Sequence, residues 1–300
     1  MADPFGLAFT IGGVEMRLRP VIGWAVFLFL ATILFKVLPS PRGTYYFIKG
    51  KQFANLRQYE AAANAYRQTL NSDPEFVRGY VELGSTLVSL KNYDEAEAAF
   101  KKATTLSDDA CASCGLGTVY RLQGKDKEAE TVLKHAIELD SRDSCAYDQL
   151  GRLYYDREDY AKSIDVFSQT LKIKPRIVTY HFLGNANYFS GKFEESLVFY
   201  EKGASLNPNY ADFFSDYGRA FNRLNRHQEA LEVYDRGLRI EPDDALLHVG
   251  RGFTQSEIGN DREAMVEYRK LQKLDPEWAE KLLKAIKTAS VENRTQSAKK

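Results

Sequence analysis

Cys111, Cys114 and Cys145 are the residues best suited to covalent or metal chemistry. Cys111-Ala112-Ser113-Cys114 is a Cys-x-x-Cys, a spacing that can close a reversible disulfide or give two thiolates to a metal. Gly115 stands where a haem-attachment motif needs His. No fourth ligand is obvious, although Asp148 lies one helical turn beyond Cys145. An odd number of cysteines cannot all pair, which fits a reducing compartment better than an oxidising one. Two readings follow: reduced cysteines filling small slots, or a thiol-dependent redox or metal site.

Other constellations are absent. His135, His181, His227 and His248 are dispersed, and none sits in a His-Glu-x-x-His pattern. Gly115-Leu116-Gly117 lacks the third glycine of a dinucleotide loop, and Gly124-Lys125 is followed by Asp126, not Ser or Thr. The carboxylates fall on periodic polar faces. No catalytic residue, cofactor or metal is therefore expected, and the chain reads as a non-enzyme. Lys plus Arg equals Asp plus Glu, 41 against 41, which argues against nucleic acid as a general partner.

The elements that carry these residues begin after an unusual N-terminus. Residues 1–20 form a flank. Val21–Leu38 reads VIGWAVFLFLATILFKVL, in which Lys36 is the only charge. This is long enough to span a bilayer, with Trp24 at one interface and Lys36 reaching the headgroups. A cleavable signal peptide is disfavoured, because Ile33, Leu34, Phe35 and Lys36 offer no small-residue cleavage site. A buried globular helix would show a polar face, and this run shows none. Pro39 and Pro41 are expected to end the helix. The expectation is a single-pass membrane protein in contact with lipid through residues 21–38. A bare count of flanking bases favours a cytoplasmic C-terminal domain. Once Lys49 and Lys51 are assigned to the first folded unit the count is tied. Arg17 and Arg19 ahead of the run, as in a signal anchor, then tilt the reading to an extracytoplasmic domain.

A repeat dominates the rest. Gly50, Gly84, Gly117, Gly151, Gly184, Gly218 and Gly252 recur every 33 or 34 residues. Twelve residues after each comes Ala62, Ala96, Ala129, Ser163, Ser196, Ala230 or Ala264. Four further on comes Tyr66, Phe100, Leu133, Phe167, Tyr200, Tyr234 or Tyr268. Pro74, Pro175, Pro208, Pro242 and Pro276 close five of the units. Small residues let two helices approach, the bulky residue fills the space beside them, and Pro ends the unit. Asn92 with Glu95 reads as a capping box, and Ala96, Ala99, Phe100, Ala103 and Leu106 share one helical face. No strand of comparable quality is visible.

This pattern resembles the tetratricopeptide repeat, whose Leu-Gly pair stands outright at Leu83-Gly84, Leu116-Gly117, Leu150-Gly151 and Leu183-Gly184. The likeness covers residues 43–276 as seven units. It departs at Lys49, Tyr217 and Arg251, where Leu is usual, and at Asn187 and Gln255. The resemblance implies an all-α, right-handed superhelix of antiparallel helix pairs around a concave groove. Residues 277–289, with Trp278, Leu282, Leu283 and Ile286 on one face, then read as a capping helix, and residues 290–300 as a polar, disordered tail.

In this family the first helix of each unit lines the groove. The projected lining is Asp148, Arg152 and Tyr155; His181, Asn185, Tyr188 and Phe189; and Ser215, Arg219, Asn222 and Arg223. All three cysteines project to the same side. Aromatics beside arginines and amides suit the capture of an extended peptide, whereas Tyr188 or Phe189 could instead pack between helices. A sub-class of the family clamps chaperone C-terminal carboxylates with Lys and Asn. Here only Gly184-Asn185 matches; His181 replaces the Lys, and Asp216 would repel a carboxylate. The resemblance implies a membrane-anchored scaffold that binds protein partners of a membrane-associated complex, as an assembly or recruitment factor. The alternatives are a fixed subunit of a membrane complex and, third, a thiol-dependent redox or metal protein. Self-association is compatible with such an array.

Overall fold

The computed structural model describes residues 8–11, 14–17, 40–208, 210 and 213–297. The apolar run 21–38 lies outside them. Among the described residues no helix is long and apolar enough to cross a membrane.

Fourteen of the described helices form seven consecutive antiparallel pairs, and a last helix follows. The pairs are α1 (Pro41–Asn55) with α2 (Tyr59–Ser72), α3 (Val77–Ser89) with α4 (Tyr93–Leu106), and α5 (Ala110–Leu122) with α6 (Asp126–Leu139). Then come α7 (Ser144–Asp156) with α8 (Tyr160–Ile173), α9 (Ile177–Phe189) with α10 (Phe193–Leu206), α11 (Phe214–Arg223) with α12 (His227–Ile240), and α13 (Ala245–Glu257) with α14 (Asp261–Leu274). The last helix is α15 (Pro276–Ser297). The architecture is an α-solenoid of helix hairpins, in two compact units divided between Ser141 and Arg142.

The periodic residues meet as their sizes require. All seven small residues, from Ala62 to Ala264, are wholly buried. At Gly184 an added Cβ would come within 2.5 Å of the Tyr200 ring, and at Gly84 within 2.7 Å of Phe100. The ring therefore occupies the volume that a side chain would need. Where Ser replaces Ala its hydroxyl is satisfied, across the crossing at Ser163, whose Oγ donates to the Gly151 carbonyl at 3.0 Å, and within its own helix at Ser196, whose Oγ donates to the Phe193 carbonyl at 2.7 Å. The seventh pair differs. Leu282 of α15, 2.5 Å from a Cβ at Gly252, takes the place that Tyr268 leaves half-buried. Ala279, Leu282 and Ile286 of the same helix are buried with Leu271.

A second periodic feature sits in the turn inside each pair. Arg57, Lys91, Gly124, Glu158, Gly191, Asn225 and Gly259 all have positive φ, between 57° and 78°. Each ends the first helix in a left-handed residue, the usual device for stopping a helix. Four of the seven are not Gly and carry the strain of that region.

Several expectations need correction. Pro41 opens α1, where a first-turn proline loses no intrahelical bond; the helix expected to end at Pro39 and Pro41 lies outside the described residues. Ser40 caps that turn by accepting from Gly43 N, and its own N and Oγ donate to Asp73 at 2.9 and 2.8 Å. The final helix runs to Ser297, past residue 289 and into the stretch expected to be disordered; its sequence there holds no Gly or Pro to stop it. In the flank, β1 (Ala8–Ile11) pairs antiparallel with β2 (Val14–Arg17), Ile11 opposite Val14. The overlooked signal was Gly12-Gly13 between two short runs, a two-residue hairpin connection. Asn92 caps α4 as expected, accepting from Glu95 N at 3.4 Å, but Glu95 answers the Asn92 side chain and not its backbone.

Candidate functional site

Within the second unit, neighbouring first helices α7, α9, α11 and α13 touch one another. Counting from each periodic glycine, the residues three before, one after and four after share a helical side. This rule brings Arg152 and Tyr155, His181, Asn185 and Tyr188, and Ser215, Arg219 and Asn222 to one face. Phe189 and Arg223 lie one residue beyond, at its edge.

The face is linked from helix to helix. His181 Nε2 lies 3.0 Å from Asp216 Oδ2, and the Asn185 side chain also hydrogen-bonds to that carboxyl. An ionised carboxylate can only accept, so His181 Nε2 carries a proton. The Tyr200 hydroxyl donates to Asn185 Oδ1. Arg219 Nη1 pairs with Asp216 Oδ1 at 3.1 Å, and its guanidinium lies 5.2 Å from the Tyr188 ring centre. Burial would raise the Asp216 carboxyl; the bond to His181 and the charge of Arg219 outweigh it and hold the group below the usual range. Arg152 lies over Phe182 at 4.5 Å, and Arg223 over Phe193 at 5.1 Å. Ser215 is half-buried beside Asp216.

Aromatic rings form the other half of the site. Phe189 is 49% exposed. It stacks on Tyr160 at 5.6 Å and meets Tyr155 and Tyr188 edge-on at 6.2 and 5.3 Å. Tyr188 is half-buried and also packs on Phe193, so it joins the face to α10, the second helix of its own pair. Tyr155 is half-buried, and burial pushes its hydroxyl up to about 12, leaving it a neutral donor. Chemically this is a rigid aromatic edge flanked by arginines that are already oriented. It can stack apolar groups and donate hydrogen bonds. Nothing in it resembles a nucleophile beside a base.

Two projected residues are not open to a partner. Asp148 is buried; Arg176 Nη1 and Thr179 Oγ1 donate to it at 2.9 and 3.1 Å, across to the next pair. Asn222 Nδ2 donates to Thr254 Oγ1 at 2.7 Å, and Asn222 Oδ1 lies 3.2 Å from His227 Nδ1. The cysteines also separate. Cys114 is buried, whereas Cys111 and Cys145 are exposed, so the three do not share an open face. Among the described residues no group of three or more Cys, His, Asp or Glu could hold a metal.

Sequence reasoning missed Phe182 as a member of the face, and took Asp216 only as an acid that would repel a bound carboxylate. Both stand two residues before a periodic glycine. From there each meets the preceding first helix: Phe182 meets Tyr155 at 5.3 Å, and Asp216 meets His181. The repeat frame carried that signal, since one frame position gave both.

Sequence profiles of the tetratricopeptide repeat match residues 49–110, 108–176 and 190–251. Anaphase-promoting complex subunit 3 of Schizosaccharomyces pombe is 22% identical over 176 residues, 58% of this chain and 26% of that protein. Mitochondrial import receptor subunit TOM70 of Rattus norvegicus is 25% identical over 122 residues, 40% of this chain and 20% of that protein. The chain thus spans about a quarter or less of the length of these two relatives. Among solved structures, the APC/C hetero-tetramer Cut9-Hcn1 superposes with a TM-score of 0.64 at 16% identity, covering 76% of this chain and 45% of that one. Pseudomonas aeruginosa PilF gives 0.60 at 19% identity, covering 67% and 92%. At these identities the structural likeness speaks for the fold alone. Repeat frame, helix pairs and profile matches agree: the chain carries tetratricopeptide repeats and belongs to that repeat family.

Proposed function

We propose that this protein is a membrane-anchored scaffold of seven tetratricopeptide units, which recruits a protein partner through the first-helix face of its second unit. The observation that carries this reading is the linked face itself. An exposed Phe189 edge and the oriented Arg219 and Arg223 stand on a frame that does not need their exposed parts for its core. Exposed aromatics beside arginines are the residues that dominate protein interfaces. Two relatives are named as a complex subunit and an import receptor subunit, which suits assembly or recruitment. The anchor reading rests on the composition of residues 21–38.

Capture of partners from solubilised membranes by the full chain tests the face. Phe189→Ala combined with Arg219→Ala is expected to abolish capture and leave the chain folded, with only the modest loss of stability that follows from removing the Arg219–Asp216 pair. A folded double variant that captures every partner would sink this reading. Retention of the intact chain in membranes through carbonate extraction tests the anchor, and recovery in the soluble fraction contradicts it.

A further inference from the structure

We infer that the outward face of α1 is a membrane-docking surface, which lies against a bilayer carrying anionic headgroups. The inference rests on the anchor reading above and adds where the first repeat sits relative to the lipid.

The face is uncovered at places where the fold elsewhere covers it. Tyr45, Ile48 and Leu56 are 58%, 52% and 68% exposed, and Gln52 between them is exposed as well. The residues at Tyr45's place in the next two pairs of this unit are buried. Gly79 lies against Leu70 of the pair before it, and Ala112 is wholly buried. Gln52 corresponds to Thr86 and Val119, both buried. α1 therefore presents a packing surface with no preceding helix pair on it among the described residues. In the second unit the last helix pair is covered by α15. A terminal repeat that faces water usually shows a polar outer side. This one shows a tyrosine, an isoleucine and a leucine.

Charge says what fits there. Arg42 and Lys49 border the apolar strip on one side and Lys51 on the other, all exposed. None of them, nor Arg57, makes an ion pair among the described residues. Lys49 Nζ instead lies 5.8 Å from the rings of both Tyr45 and Phe53. Residues 16–59 contain seven Lys or Arg and no Asp or Glu, so the remaining residues hold 34 bases (41 − 7) against 41 acids. A neutral protein has thus gathered an unopposed positive stretch at one end. A strip of Tyr45, Ile48 and Leu56, interrupted by Gln52 and with bases on both flanks, is the pattern of a helix lying at a lipid interface.

Position says that lipid can reach it. The apolar run ends at Leu38, two residues before Ser40, and Ser40 is fixed by its bonds to Asp73. Two residues of chain span at most about 8 Å, and the helix rises about 1.5 Å per residue from there to Tyr45. Whatever path the chain takes, the end of the run lies within roughly 15 Å of Tyr45. If the run is in a bilayer, the strip is beside that bilayer. Lys49 and Lys51 then count as flanking bases. Four bases (Arg42, Lys49, Lys51 and Arg57) follow the run, with Lys36 in its last turn, and two precede it, a balance that holds the repeats on the cytoplasmic side, where anionic lipid is concentrated.

The test uses the full chain with p-benzoylphenylalanine in place of Tyr45, reconstituted in phosphatidylcholine vesicles with and without phosphatidylserine and irradiated. The expected product is a lipid adduct, enriched by phosphatidylserine. Replacing Arg42, Lys49 and Lys51 by Ala weakens docking by about fivefold per base removed, with no change in melting temperature. Adducts to residues 1–39 of the same chain, to a second copy, or no adduct at all would overturn the inference. Carbonate extraction of the same vesicles separates this from the anchor. Retention without lipid adducts leaves the anchor and removes the docking face. Lipid adducts from a chain that carbonate releases leave the docking face and remove the anchor.

Discussion

One and four residues after their glycines, α3 and α5 of the first unit carry Ser85, Val88, Thr118 and Arg121. At the same places α7 and α9 of the second unit carry Arg152, Tyr155, Asn185 and Tyr188. In the first unit the hydroxyls turn back onto their own helix: Ser85 Oγ donates to the Val81 carbonyl at 2.9 Å and Thr118 Oγ1 to the Cys114 carbonyl at 2.8 Å. In the second unit the side chains reach between helices, from His181 to Asp216 and from Arg219 to Tyr188. Behind both faces the packing is the same, with Phe100 against Gly84 and Phe167 against Gly151. Frame and face are thus separable. The glycine, the small residue and the bulky residue make the scaffold, and other positions on the first helix decide what it can hold.

The largest effects should be shared by both units, because they strike the frame. Phe100→Ala and Phe167→Ala each remove a buried ring and should each cost about 3–5 kcal/mol, read from denaturant midpoints. A small loss in one unit and a large loss in the other would break the equivalence of the two frames. Next comes an effect confined to the second unit. Phe189→Ala with Arg219→Ala should weaken partner capture by at least about thirtyfold, the equivalent of a hot spot worth about 2 kcal/mol. Thr118→Ala with Leu122→Ala, on the matching face of the first unit, should leave capture unchanged.

Acid should divide the units by which carboxylate it reaches. The folded-state pKa of Asp216 is depressed, so its stabilisation is complete above its unfolded value of about 3.9 and is lost as pH falls through the folded value. Asp216→Asn should therefore lower stability by about 1–3 kcal/mol at neutral pH, with the difference shrinking toward acid. In the first unit, bonds from Lys101 and then Lys125 hold Glu97 down to about 2. The effect of Glu97→Gln should fade between about pH 4.5 and 2 in the same sense. Melting temperatures measured across acid pH check both. The smallest effects return to the frame. Lys91→Gly and Glu158→Gly relieve left-handed residues in the first and second unit and should each be neutral or stabilising by up to about 1 kcal/mol. A clear loss would mean that their side chains hold the turns.

How much of this could be read from the residues follows the same division. Gly, small and bulky positions are constraints of volume, repeated seven times, and they located every helix crossing up to the last, where Leu282 replaced Tyr268. The face was harder. Projecting each helix alone placed Arg152, Tyr155, Asn185 and Arg219 together, but it left out Phe182 and Asp216, whose role exists only between neighbouring helices. It also opened Asp148 to solvent, because the projection did not show Arg176 and Thr179 arriving from the next pair. Cys114 failed in the same way: one turn from Cys111 along the helix, it is buried. The continuation of α15 to Ser297 was hidden by polarity, which disfavours a core without breaking a helix.

The most direct test compares Phe189 with Leu122, which stand five residues after Gly184 and Gly117 and are 49% and 38% exposed. Hydroxyl-radical footprinting of the chain in its own membranes and after purification reads both side chains in one experiment. The account predicts that Phe189 is protected in membranes, where the partner is present, and becomes oxidised when the chain is purified, while Leu122 is oxidised equally in both. Equal oxidation of Phe189 in the two states, or protection of Leu122 in its stead, would contradict the assignment of partner binding to the second unit.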